Sequence, residues 1–152
     1  MQTSKAKADI EQLLRSGQSV QFYPTGWSMY PLITNGRDQV IVVPVADRKL
    51  RRGDVALYRR EGSILVLHRI VRVRPEGYYM VGDNQKEIEG PLRPEQMLGV
   101  MTHVIRKGRT ISVNNPLYRL YSGTWLLLRP VRPAISRTVA AIRRPFRRKN
   151  SK

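Results

Sequence analysis

The chain has no cysteine and only two histidines, His68 and His103. The first absence excludes a disulfide framework, a thiolate metal site and a cysteine nucleophile. The second leaves too few imidazoles for a histidine-rich metal centre, so neither a metal nor a cofactor is expected. No apolar run approaches the roughly 18 residues that span a bilayer as a helix. Residues 1–12 are polar and include Asp9 and Glu11, so they are not read as a secretory signal. Acidic residues stop altogether at Glu95.

What is present suffices for one ordinary domain with an appendage: 152 residues, of which 41% are hydrophobic. Residues 1–95 hold 15 Lys/Arg against 11 acids, a net +4. Residues 96–152 hold 13 Lys/Arg and no acid. A near-balanced body therefore carries a strongly cationic C-terminal third, which seeks anions such as lipid headgroups, nucleic acid or an acidic protein face.

Hydrophobic spacing predicts a short helix over 4–15, stopped by Gly17. From 19 to 113 the pattern is β. Strands are predicted at 19–23, 38–43, 54–58, 63–73, 78–81, 98–106 and 110–113, divided by turn signals such as Asn35-Gly36, Arg52-Gly53 and Gly82-Asp83-Asn84. Many short strands with little helix between them predict a mainly β fold, a coiled, partly closed antiparallel sheet. After Asn114-Asn115-Pro116 the period changes. Leu117, Leu120, Tyr121, Trp125 and Leu128 form a helical stripe, and Ile135, Val139 and Ile142 begin a second one before a basic end. The predicted divisions are an N-terminal helix (1–18), a β domain (19–115) and an amphipathic, basic appendage (116–152).

Three segments carry candidate chemistry. Gly26-Trp27-Ser28-Met29-Tyr30-Pro31 places a serine on a constrained turn, where its hydroxyl can be exposed and its N–H can face a carbonyl. Gly, Ser and Pro are equally plain turn formers. His68 sits inside the apolar run 64–73, on one face with Val66 and Ile70. A partly buried imidazole near a hydroxyl serves as a general base, and a core-edge histidine bonded to a carbonyl would look the same. Gly82-Asp83-Asn84, followed by Glu87 and Glu89, offers carboxylates to orient that imidazole, or simply a turn. Arg52-Gly53-Asp54-Val55 reads as a structural turn into a strand.

The joint order of these segments, closed by Leu98-Gly99-Val100, resembles the signal peptidase superfamily, which includes the self-cleaving SOS repressors. The likeness spans about residues 19–105 and is most specific at Ser28-Met29 with Pro31. It implies a serine endopeptidase on a coiled β scaffold with Ser28 as nucleophile. His68 stands where bacterial signal peptidases and SOS repressors have lysine. The chain in this respect resembles the archaeal and endoplasmic-reticulum branch. The resemblance leaves the orienting carboxylate open among Asp83, Glu87 and Glu89. Gly26, two before Ser28, brings no hydroxyl, so an oxyanion hole would use backbone N–H groups. Met29, with Ile33, is expected to line an apolar substrate groove. The implied substrate is an extended peptide with small residues before the cut, bound by strand addition.

The chain departs from the superfamily in showing neither an N-terminal membrane helix nor room for a DNA-binding domain before the first strand. A cytoplasmic protein, peripheral at an anionic membrane surface through residues 117–152, is the expectation. Two other readings use the same residues: a catalytically silent peptidase-like binding module, and a basic nucleic-acid-associated β-protein. No motif that reads DNA or RNA specifically is visible, so no specific nucleic acid is expected.

Overall fold

The computed structural model describes residues 2–131 except 47, 62 and 63. The second helical stripe and the basic end, predicted beyond 132, lie outside the described residues. Among the described residues strand far outweighs helix, so the fold is mainly β.

The chain runs through helix α1 (Gln2–Arg15), then β1 (Val20–Phe22), β2 (Asp38–Pro44), β3 (Val55–Arg60), β4 (Ile64–Arg74), β5 (Gly77–Val81) and β6 (Glu89–Leu92). A 3-10 turn (Pro94–Gln96) leads into β7 (Met97–Arg106), β8 (Arg109–Ser112) and helix α2 (Pro116–Leu127). All pairings are antiparallel, in the order β1-β2-β7-β3-β4-β5-β6, with β8 also on β7. The long β7 is the spine. One edge pairs with the whole of β2. The other is shared, Met97–Val100 meeting β3 and His103–Arg106 meeting β8.

Register breaks in four ladders, at Ile41/Val42, Leu57/Tyr58, Ile70/Arg72 and Tyr78/Met80. Such bulges add local twist and coil the sheet. The sheet is nevertheless open, since no ladder among the described residues joins β1 to β6. The expected partial closure is thus not made through backbone pairing. Strand β6 escaped the sequence reading because Glu89-Gly90-Pro91-Leu92 carries two residues that normally mark turns. As an edge strand it tolerates a proline, whose missing N–H would otherwise break a ladder.

Period-two alternation builds two cores, one on each face. Leu14, Met29, Ile33, Val40, Leu57, Leu67 and Met101 form the first. Ala56, Tyr58, Ile70, Met80, Leu92 and Val100 form the second. Helix α1 ends at Gly17, whose φ of +86° suits a residue without Cβ, and buries Leu14 against Gly99. Helix α2 starts on Asn115, whose Oδ1 accepts the N–H of Leu117 at 2.9 Å, with Pro116 in the first turn. Tyr118 packs on the first core, and Trp125 Nε1 donates to the Asp83 carbonyl at 2.9 Å. The stripe read from the sequence therefore splits: of its residues Trp125 faces the body, joined there by Tyr118 from outside the stripe, while Leu117, Leu120, Tyr121 and Leu128 stay exposed, as does Leu127.

Candidate active site

Ser28 lies in the irregular segment between β1 and β2, half-buried. The turn depends on Gly26, whose φ of +85° disfavours any side chain. Tyr30 N–H bonds the Trp27 carbonyl at 3.2 Å and Ile33 N–H the Met29 carbonyl at 3.0 Å, winding the segment tightly around Ser28. Met29 and Ile33 are thereby buried, and Trp27 and Tyr30 are left exposed as an edge-to-face pair with centroids 6.0 Å apart. Beside Ser28 opens a cleft of about 20 Å³, lined by Pro24, Gly26, Met29, Ile33 and Leu67. It is apolar and fits only a small group. Among the described residues the Ser28 N–H donates to no protein acceptor.

The Gly-Asp-Asn loop closes on the same turn. Asn84 N–H donates to the Ser28 carbonyl at 2.8 Å. A Cβ on Gly82 would lie 2.6 Å from that carbonyl oxygen, so only glycine lets the loop approach. Asp83 turns inward and accepts two hydrogen bonds of 2.8 Å from Arg69. Arg69 also donates to the Gly53 carbonyl at 2.8 Å. The Gly53 N–H reaches Ile70 O, and the Ile70 N–H reaches Asp54 O, each at 2.8 Å. One buried guanidinium thus ties together the Arg-Gly-Asp-Val turn, strand β4 and the Gly-Asp-Asn loop.

His68 is 4% exposed and, with Val66 and Ile70, faces the second core. Its Nδ1 is 3.2 Å from the hydroxyl of Tyr58. That hydroxyl donates to Glu89 at 2.7 Å, and Arg60 donates to both Glu89 oxygens at 2.8 and 2.7 Å. Burial pushes the His68 imidazole down to about 4, reinforced by Arg60 and opposed by the charges of Glu89 and Asp83. It is neutral at pH 7. The Arg60 hydrogen bonds hold Glu89 below the usual carboxyl value against the effect of burial, with help from Tyr58. Burial and the Glu89 partner raise Tyr58 well above the usual phenol value, so it keeps its proton.

The three candidate carboxylates are therefore sorted by geometry. Asp83 is committed to Arg69, Glu87 is exposed with no protein partner among the described residues, and Glu89 reaches His68 through Tyr58. Among the described residues neither Glu87 nor Glu89 bonds the imidazole directly. Nor, among the described residues, does Ser28 Oγ hydrogen-bond His68: Leu67 points to the Met29 cluster and His68 to the opposite one. Tyr58 and Arg60 were passed over in the sequence. The available signal was the i, i+2 spacing of Tyr58 and Arg60, which puts both on one face of β3 beside β4.

No described group of three or more His, Asp or Glu residues is arranged to hold a metal ion. No helix among the described residues is long and apolar enough to cross a membrane. No protein-family model matches the chain, and no curated protein is significantly similar to it.

Proposed function

We propose that the chain is a serine endopeptidase of signal-peptidase type. The observation that carries this is the assembly of the Ser28 turn and the Gly-Asp-Asn loop beside a small apolar cleft; His68 follows the cleft-lining Leu67 on β4 with its side chain on the other face of the sheet, so the reaction needs the Ser28 turn and β4 to shift together. In the proposed reaction Ser28 Oγ bonds to the scissile carbonyl carbon while His68 Nε2 takes the hydroxyl proton. The Ser28 N–H faces the developing oxyanion. The same proton passes to the departing amine, and water then cleaves the acyl-serine ester to regenerate the hydroxyl. A serine-directed acylating probe is expected to label the parent at pH 7 and not Ser28→Ala, with labelling strongly slowed in His68→Ala. Absence of labelling anywhere from pH 5 to 9 overturns the proposal.

A second reading, a catalytically silent peptide-binding module, is favoured by one observation: Ser28 and His68 share no hydrogen bond among the described residues. The same labelling experiment decides between the two.

For its location we propose a peripheral position on an anionic membrane surface through α2. Its exposed Leu117, Leu120 and Leu127 offer apolar area beside Arg119 and Arg129. Burying one leucine contributes about 1.5–3 kcal/mol. The double variant Leu120→Gln/Leu127→Gln is therefore expected to lower co-sedimentation with phosphatidylserine-containing vesicles by at least about tenfold in partition coefficient. Unchanged partitioning removes α2 as the docking face.

A further inference from the structure

We propose that Tyr58 is the positioning residue of the site: it stands between His68 and Glu89 and fixes the imidazole proton on Nδ1, leaving Nε2 bare. This rests on the reading of His68 as a general base, and its physical core is testable without any peptidase activity.

The argument is one of hydrogen-bond valence. A phenol has one proton to donate and lone pairs to accept. Glu89 is gripped by Arg60 through both oxygens and stays ionised, so it can only accept. At 2.7 Å the Tyr58 proton must therefore lie toward Glu89. The Tyr58 oxygen, 3.2 Å from His68 Nδ1, is left only as an acceptor. A neutral imidazole has a single N–H, so it resides on Nδ1. The other arrangement, with Tyr58 donating to Nδ1, would require a protonated Glu89 against a bidentate guanidinium. Tyr58 is fully buried and meets His68 edge-on at a centroid distance of 6.1 Å, so water does not compete for the bond.

The charged and titratable groups around His68 are Tyr58 and Arg60 from β3, Glu89 from β6 and Asp83 from the loop after β5. Asp83 is paired with Arg69 and acts on the imidazole more weakly, so Glu89 is the carboxylate that acts on it most, one hydroxyl removed. When His68 takes the Ser28 proton on Nε2, the other proton stays on Nδ1, donated to the Tyr58 oxygen, and the Glu89 charge stabilises the imidazolium through that hydroxyl. The role that an aspartate plays by direct contact in a serine triad is divided here between a tyrosine and a glutamate.

The test is nitrogen NMR of the ¹⁵N-labelled imidazole at pH 7. With only two histidines in the chain, a His103→Gln background leaves a single imidazole, whose two ring-nitrogen signals report the tautomer. His103 is half-buried on β7 and outside the site, its Nδ1 paired with Thr102. The expected spectrum is the Nδ1–H tautomer for His68. Tyr58→Phe keeps the ring volume and deletes the hydroxyl. It is expected to shift the tautomer ratio toward Nε2–H by about five- to tenfold, one lost hydrogen bond, and to slow Ser28 acylation by a similar factor. An Nε2–H tautomer in the parent overturns the proposal, and so does a ratio unmoved in Tyr58→Phe. If Tyr58→Phe does not fold, the parent spectrum alone decides. A shifted tautomer with no acylation in the parent keeps the Tyr58 role and sinks the peptidase; acylation with an Nε2–H parent does the reverse.

Discussion

Asp83→Ala is expected to lower the unfolding free energy by about 3–5 kcal/mol. Its carboxylate and the Arg69 guanidinium are 1% and 2% exposed, so neither has water to fall back on. Removing the carboxylate leaves a buried cation with the Gly53 carbonyl as its main remaining partner. That loss is a large fraction of the roughly 5–15 kcal/mol that holds a domain of this size together. The local consequence is equally large, because the loop that presents Asn84 to the Ser28 carbonyl is anchored by the same ion pair. The double variant Asp83→Leu/Arg69→Met removes both charges together. It is expected to recover most of the loss, since replacing a whole buried pair by apolar groups is often neutral. Urea melts of parent, single and double variants close the cycle. A loss below about 1 kcal/mol for Asp83→Ala would mean that the pair is better hydrated than its burial indicates.

The same ion pair shows where sequence reading stops. Alternation along β4 correctly set His68 beside Val66 and Ile70, because a strand's period of two is fixed by its backbone. The mainly β character, the short N-terminal helix and the start of α2 at Asn115-Pro116 were legible for similar reasons: spacing, turn residues and caps are local properties. The role of Asp83 was not local. From the sequence it was one of three carboxylates competing for His68. What decides its fate is Arg69, whose planar fork matches a carboxylate better than an imidazole does. Since β4 places Arg69 on the face opposite His68, Asp83 goes with it. Tyr58 was illegible for a longer chain of causes. Its partner Glu89 lies on β6, a strand hidden by Gly90 and Pro91, and that edge strand joins the sheet on β5, two strands away from β3. A hydroxyl at the end of an apolar strand shows its purpose only once both neighbours are in place.

Stability is expected to fall by on the order of 3 kcal/mol as pH drops from 7 to 4, with His68 as the cause. The imidazole has an ordinary value of 6.5 and is held down to about 4 in the folded chain, chiefly by burial. Between these values the unfolded chain binds a proton that the folded chain refuses. Stability therefore rises with pH across this window, is full above about 6.5 and is lost progressively toward 4. The other shifted carboxyls act lower down. Glu89 and Asp38 are both held below their ordinary values of 4.5 and 3.8, so their contribution is present above those values and disappears only in stronger acid. That leaves the interval from about 5 to 6.5 to the His68 imidazole. The variant His68→Asn tests this: its amide can donate to Tyr58 where Nδ1 does, but it does not titrate. Thermal melts at half-unit pH steps are expected to show the parent losing several degrees between pH 6.5 and 5, and His68→Asn losing much less. Parallel curves for the two proteins would place the acid sensitivity elsewhere and would mean that burial does not hold the His68 imidazole below its ordinary value.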